Sequence, residues 1–118
     1  MNTVKITIDN KEIEFAFGLG FLGAALEEMD LGVEEVQGKI QKNPFKTVPL
    51  LMYHSAKYAQ ERVGKEPEYS LIELTDVIDA GGGIGGQGVV KFLEAFTNSL
   101  LKGVPKMPEE KTDDPKKK

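Results

Sequence analysis

The sequence predicts an α+β domain in which an N-terminal antiparallel β-hairpin packs on four to five helices. Three observations support this fold class. Before Gly18, apolar and polar residues alternate, which is the period of half-buried strands. After Gly20, apolar residues recur every three or four positions, which is typical of amphipathic helices. The chain has 118 residues, 40% of them hydrophobic, which is enough for one core but not for two ordinary domains.

Two strands joined by a tight turn are predicted at the N-terminus. The alternating apolar residues are Val4, Ile6 and Ile8 in the first strand and Ile13, Phe15 and Phe17 in the second. Between the strands lies Asp9-Asn10, a pair of residue types that tolerates positive φ. This pattern indicates a hairpin with a short loop.

Three helices are predicted to follow. The first carries an apolar stripe of Phe21, Leu22, Ala25, Leu26 and Met29, and the second, short one carries Val33, Val36 and Ile40. Asn43-Pro44 supplies an N-cap residue and a favoured first residue for the third helix. Because Pro49 has no N–H to donate, this helix either begins near Thr47 or is kinked in its first turns. It is expected to end before Gly64.

Two further helices complete the predicted domain. Ser70 and Glu73 form a capping-box pattern at the start of a helix that continues to Ala80. The last helix is expected to present one apolar stripe, made of Val89, Leu93, Phe96 and Leu100, and to stop at Gly103. Residues 1–103 are therefore assigned to a single α+β domain.

Residues 104–118 are predicted to be a disordered charged tail. They contain three prolines, five lysines and four acidic residues but few large apolar ones. Such a composition buries too little apolar surface to offset the entropy lost on ordering.

Composition excludes several classes of function. The net charge is −4 and no basic stripe precedes the last three residues, so nucleic-acid binding is not expected. The chain has no cysteine, which excludes disulfides and thiolate chemistry. It also lacks an apolar run of roughly 18 residues and an N-terminal apolar segment of the signal-peptide type. A cytosolic protein without membrane contact, metal or cofactor is expected.

The segment Gly83–Gly88 matches the dinucleotide-binding pattern G-x-G-x-x-G, and one hypothesis is therefore a small nucleotide-binding enzyme. That pattern requires a preceding strand and an acidic residue about 20 positions later on a second strand. The residues before this segment have a helical period instead. The favoured interpretation is a hinge for the last helix, formed by Gly82, Gly83, Gly85 and Gly86.

Catalytic and metal sites are not expected. His54 has no catalytic partner beside it, and we expect it to be an ordinary histidine on a helix surface. Glu73, Asp76 and Asp79 share one side of a helix and are expected to form a solvated face. Tyr53, Tyr58 and Tyr69 are either partner anchors or boundary residues with a buried ring and a wet hydroxyl. The residues predicted to bind a partner are Leu51, Tyr53, Tyr58, Val89, Leu93, Phe96 and Leu100.

Residues 4–22, VKITIDNKEIEFAFGLGFL, resemble the opening of tail assembly chaperones from long-tailed phages of Gram-positive bacteria. Those chaperones also begin with a short hairpin, ITI-x-G/N-K-x-x-x-F-x-F-G-x-x-F-L, that runs into a helix. The resemblance implies a chaperone that binds the tape measure protein and is absent from the finished virion. A homo-oligomer is expected separately, from the apolar stripes at residues 48–59 and 89–101.

The resemblance also implies a longer product, made by ribosomal frameshifting, that brings in the tail tube protein. Lys116-Lys117-Lys118 fits a run of adenines at which frameshifting occurs, although a charged solubilising tail explains these residues equally well. No binding residue of the family is carried over, because no family motif fixes one. A structural virion component, such as a head–tail connector, is the alternative.

Overall fold

The computed structural model describes residues 2–103, with side chains from residue 3 to residue 100. In this part of the chain two strands precede five helices, so the predicted α+β fold class is confirmed. The elements are β1 (Asn2–Ile8), β2 (Lys11–Phe17), α1 (Leu19–Met29), α2 (Val36–Lys42), α3 (Pro44–Arg62), α4 (Leu71–Ala80) and α5 (Gln87–Gly103). Short 3-10 turns precede α2 and α5. The tail predicted at residues 104–118 lies outside the described residues.

The hairpin has the predicted two-residue loop. Ile8 pairs with Lys11 in an antiparallel register, so Asp9 and Asn10 alone connect the strands. Their φ angles are 52° and 63°. The hairpin turn whose twist matches that of the strands requires positive φ at both loop positions. Because side chains alternate along a strand, the apolar residues of β1 and β2 share one face, and this face is buried in the core.

Helices α3 and α5 cover the hairpin. Helix α3 packs mainly on β2 and also contacts α1, α2 and α4, whereas α5 packs mainly on β1. An aromatic cluster joins the hairpin to α5, with the ring of Phe15 5.1 Å from that of Phe92 and the ring of Phe17 5.5 Å from the same partner. This aromatic part of the core thus joins the first and last parts of the described chain.

Helix α3 begins before Pro49 and continues through it. Asn43-Pro44 starts the helix as predicted, although the Asn43 side chain makes no capping hydrogen bond. The fixed φ of a proline suits the first helical position, so Pro44 is well placed there. The alternative of a start near Thr47 is wrong. The helix ends at Arg62, just before Gly64, as predicted.

The capping box of α4 is confirmed. The Glu73 N–H donates to Ser70 Oγ (3.1 Å), and the Ser70 N–H donates to Glu73 Oε1 (2.8 Å). Two N–H groups that a helix start leaves unpaired are thereby satisfied.

The predicted apolar stripe of α5 is partly wrong. Val89, Phe92 and Phe96 are the fully buried residues, whereas Leu93 is only half-buried. Positions 92 and 93 both have helical spacing from 89 and 96, so periodicity alone does not distinguish them. The flat ring at position 92 packs against the aromatic residues of β2, and this contact decides which side of α5 faces the core.

No helix between residues 2 and 103 is long and apolar enough to cross a membrane.

Candidate partner-binding groove

An apolar groove lies between the beginning of α1 and the end of α5. Its volume is about 120 Å³. We call this surface the apolar groove. It is lined by Gly18, Leu19, Phe21, Leu22, Phe96, Ser99 and Leu100. No lining residue is charged, so the groove suits an apolar side chain of a partner.

The floor of the apolar groove is a rigid aromatic cluster. Phe21 and Phe96 are 2% and 1% exposed, and their rings meet edge to face with centroids 5.9 Å apart. The ring of Phe17 lies 5.6 Å from that of Phe21. Edge-to-face pairs of this kind add about 0.5–1.5 kcal/mol beyond simple burial, so the floor is held in place before any partner binds.

The rim of the apolar groove exposes leucine side chains. Leu19 is 82% exposed, the largest exposure among the large hydrophobic residues of the described chain. Leu22 and Leu100 are half-buried beside it. Covering a leucine side chain stabilises a contact by about 1.5–3 kcal/mol, so this rim offers binding free energy that the isolated chain does not use.

The residues predicted to bind a partner occupy different environments. Phe96 and Leu100 line the apolar groove, whereas Leu51 and Val89 are 0% and 1% exposed in the core. A partner would reach those two side chains only after the core had opened. Leu93 lies in a shallow open hollow on the outer side of α5, and Tyr53 and Tyr58 are half-buried on α3.

Tyr58 supports α1. A Cβ atom on Gly20 would lie 2.5 Å from the Tyr58 ring, so the helix backbone approaches the ring as closely as only glycine permits. The boundary interpretation therefore fits Tyr58 better than the anchor interpretation does. Leu19, which precedes this glycine, was not predicted as a site residue. The sequence feature that could have identified Leu19 is a large apolar residue between Gly18 and Gly20, outside the buried stripe of α1.

The glycine segment joins two helices, as expected, and not a strand and a helix. It follows α4 and contains the 3-10 turn Gly83–Gly85. Gly82 and Gly83 have φ angles of 112° and 72°, which side chains rarely adopt. A Cβ on Gly86 would lie 2.6 Å from the Gly81 carbonyl oxygen. Of the four predicted hinge residues, only Gly85 meets no such steric requirement. Hinge motion itself stays a prediction.

The glycines on either side of this turn contact the hairpin. A Cβ on Gly81 or on Gly88 would lie 2.6 Å from side-chain atoms of Ile8. Ile8 is 3% exposed, so its side chain is enclosed between the end of α4 and the beginning of α5. We call this arrangement the Ile8 clasp. Close packing therefore explains these two glycines.

The expectation of a surface histidine is wrong. His54 is 9% exposed, and its Nε2 atom forms a hydrogen bond with Glu28 Oε1 on α1. The partner lies 26 residues earlier in the chain, so inspection of the neighbouring residues could not identify it. The bond links α3 to the end of α1 and satisfies a buried polar group.

The acidic residues of α4 do not converge. Glu73 is engaged in the capping box, and Asp76 and Asp79 are exposed. Between residues 2 and 103 no three histidine or acidic side chains are arranged to hold a metal ion.

Fold and groove together define a small α+β domain with an uncharged apolar groove. No known protein family, curated protein or solved structure matches this chain.

Proposed function

We propose that this chain is a phage tail assembly chaperone that binds the tape measure protein and catalyses no reaction. One observation carries the proposal. Residues 4–22, which resemble the chaperone family, supply Gly18, Leu19, Phe21 and Leu22, which form one whole side of the apolar groove. The resemblance and the surface best suited to an apolar partner therefore coincide.

The chemistry of the apolar groove fits a long helical partner. An amphipathic helix docks by inserting large apolar side chains into an apolar groove. A volume of about 120 Å³ takes a single such anchor, so one copy of the chain binds weakly. A homo-oligomer would place several grooves along one tape measure protein, and multivalency would raise the overall affinity without new contacts. A longer frameshift product would bring the tail tube protein to the same assembly.

A substitution in the groove rim tests the proposal. Leu19→Asp places a charge where the anchor would sit, while Ile72→Asp changes a side chain of similar exposure (75%) on α4, away from the groove. The readout is the amount of tape measure protein from the same phage that stays soluble on co-expression. We expect the parent and Ile72→Asp to keep it soluble. Leu19→Asp should leave most of it insoluble, because the loss of one buried leucine weakens binding at least about tenfold.

If both variants solubilised the tape measure protein equally, with unchanged melting temperatures, the apolar groove would not be its binding site. Mass spectrometry of purified virions tests the role itself, because a chaperone leaves the particle before completion. Finding the chain in virions at the copy number of a structural protein would overturn the proposal in favour of a virion component.

A further inference from the structure

A second groove with different chemistry lies at the other end of α1. Two hollows of about 300 Å³ each share Glu28, Lys46 and Leu50 in their walls, so they adjoin along α3. Met29 and Lys39 also line the first hollow, and Phe45 also lines the second. We call this surface, lined by Glu28, Met29, Lys39, Phe45, Lys46 and Leu50, the lysine-rimmed groove.

The lysine-rimmed groove has an apolar interior. Leu50 is 7% exposed and forms part of its floor, and Met29 is half-buried beside it. Phe45 is 77% exposed, so a whole phenyl ring is open to solvent at the edge. Large apolar residues so exposed beside a concave surface are typical of sites where another chain binds.

The charge on the rim is opposite in sign to that of the chain. The chain has 15 basic and 19 acidic residues, yet the groove carries Lys39 and Lys46 against the single carboxylate of Glu28. That carboxylate is hydrogen-bonded to His54. Among the described residues, neither lysine lies within 4.0 Å of a carboxylate oxygen. Two ammonium groups are thus available to a partner.

We propose that the lysine-rimmed groove binds an acidic amphipathic helix of a second partner protein. Apolar side chains of that helix enter the floor, and its flanking carboxylates face Lys39 and Lys46. The α3 residues that line the groove run from the start of the helix to Leu50, a length of roughly 10 Å. This length matches about two turns of a bound helix. The charges select the partner more than they tighten its binding.

The two grooves are separate sites. The apolar groove is lined by residues at the beginning of α1, and the lysine-rimmed groove by Glu28 and Met29 at its end. Leu22 and Glu28, the nearest of these lining residues on α1, are six positions apart, or about 9 Å along the helix axis. The two grooves share no lining residue, and this inference does not depend on the identity of the partner in the apolar groove.

A pair of synthetic peptides tests the inference with the full chain. Both are 14-residue helices with leucines on one face, and glutamates flank the leucines in one peptide and lysines in the other. We expect fluorescence anisotropy to give at least tenfold tighter binding of the glutamate peptide. Lys39→Glu/Lys46→Glu should reverse this preference, whereas Lys65→Glu/Lys91→Glu, which changes the net charge equally at exposed positions elsewhere, should keep it.

Loss of the preference in both double variants would show a general charge effect and would overturn the inference. Displacement of the glutamate peptide by a peptide of residues 104–118 would identify this chain's own tail as the occupant. Light scattering that shows self-association lost only in Lys39→Glu/Lys46→Glu would identify a second copy. Both outcomes overturn the assignment to another protein. Leu19→Asp should leave the preference for the glutamate peptide unchanged, which separates this test from that of the proposed function.

Discussion

Helices α3 and α5 both pack on the hairpin, yet they bury different parts of their surface. In α3 every residue from Thr47 to Ser55 except Tyr53 is buried, so the buried side chains of this stretch lie on several faces of the helix. In α5 the large buried side chains are Val89, Phe92 and Phe96, all on one face. The comparison teaches that α3 holds the fold together, while α5 closes the core with one face and presents the other.

The two helices are also held by different forces. Side-chain hydrogen bonds tie α3 to its neighbours: Ser55 Oγ donates to the Ala16 carbonyl (2.9 Å) on β2, and His54 bonds with Glu28 on α1. Within the described residues, α5 makes no side-chain hydrogen bond to another element and depends on apolar and aromatic contacts. Hydrogen bonds fix the position of a helix, whereas apolar contacts are non-directional. The apolar groove lies at the helix that is held by packing alone.

The largest effect is expected at the centre of α3. Leu51 is 0% exposed, so Leu51→Ala removes a side chain with little room to collapse and should lower the free energy of unfolding by about 2–5 kcal/mol. Urea denaturation followed by circular dichroism measures it. Val63→Ala, at a 63% exposed position just after the same helix, should change stability by less than about 0.5 kcal/mol. Similar losses in the two variants would refute the central role of α3.

A smaller effect is expected where α5 meets the hairpin. Gly88→Ala places a methyl group against Ile8 in the Ile8 clasp, and overpacking of this kind costs about 1–3 kcal/mol. Gly85→Ala is the matched control, because no atom lies within 4 Å of its added Cβ, and it should be neutral or stabilising by up to about 1 kcal/mol. Thermal melts of both variants decide the matter. If neither substitution lowered the melting temperature, a loose hinge would be favoured over close packing against Ile8.

The smallest effect is expected on the outer face of α5. Val90 is 46% exposed and lies in the shallow hollow beside Leu93, so Val90→Ser should alter the free energy of unfolding by no more than about 0.5 kcal/mol. The same urea titration applies. A loss near 2 kcal/mol would mean that this face is buried, for example between copies of the chain, and the contrast with α3 would disappear.

Local signals in the sequence were sufficient for the elements themselves. The alternation in both strands and the Asp9-Asn10 loop predicted the hairpin and its turn, and Ser70 with Glu73 predicted the start of α4. Each of these signals involves residues within a few positions of one another, so it can be recognised without knowledge of the tertiary contacts.

Contacts between distant residues explain what the sequence did not reveal. His54 is buried because Glu28 of another helix faces it, and Phe92 rather than Leu93 faces the core because the rings of β2 accept it. The lysine-rimmed groove combines Lys39 of α2 with Lys46 of α3, so its rim depends on how the two helices meet. Periodicity within one helix carries no information on such partners.

The Ile8 clasp and the aromatic contact between Phe15 and Phe92 also bear on the order of folding during synthesis. The hairpin leaves the ribosome before both helices that cover it. Helix α3 follows soon after, but the α5 residues that pack on the hairpin come roughly 80 positions later. At about 5–20 residues per second, the part of the apolar face that packs on α5 remains uncovered for roughly 4–16 s in each round of translation. This part of the face is therefore exposed to aggregation until α5 is made, and the domain completes its fold only when almost all of the described chain has been translated.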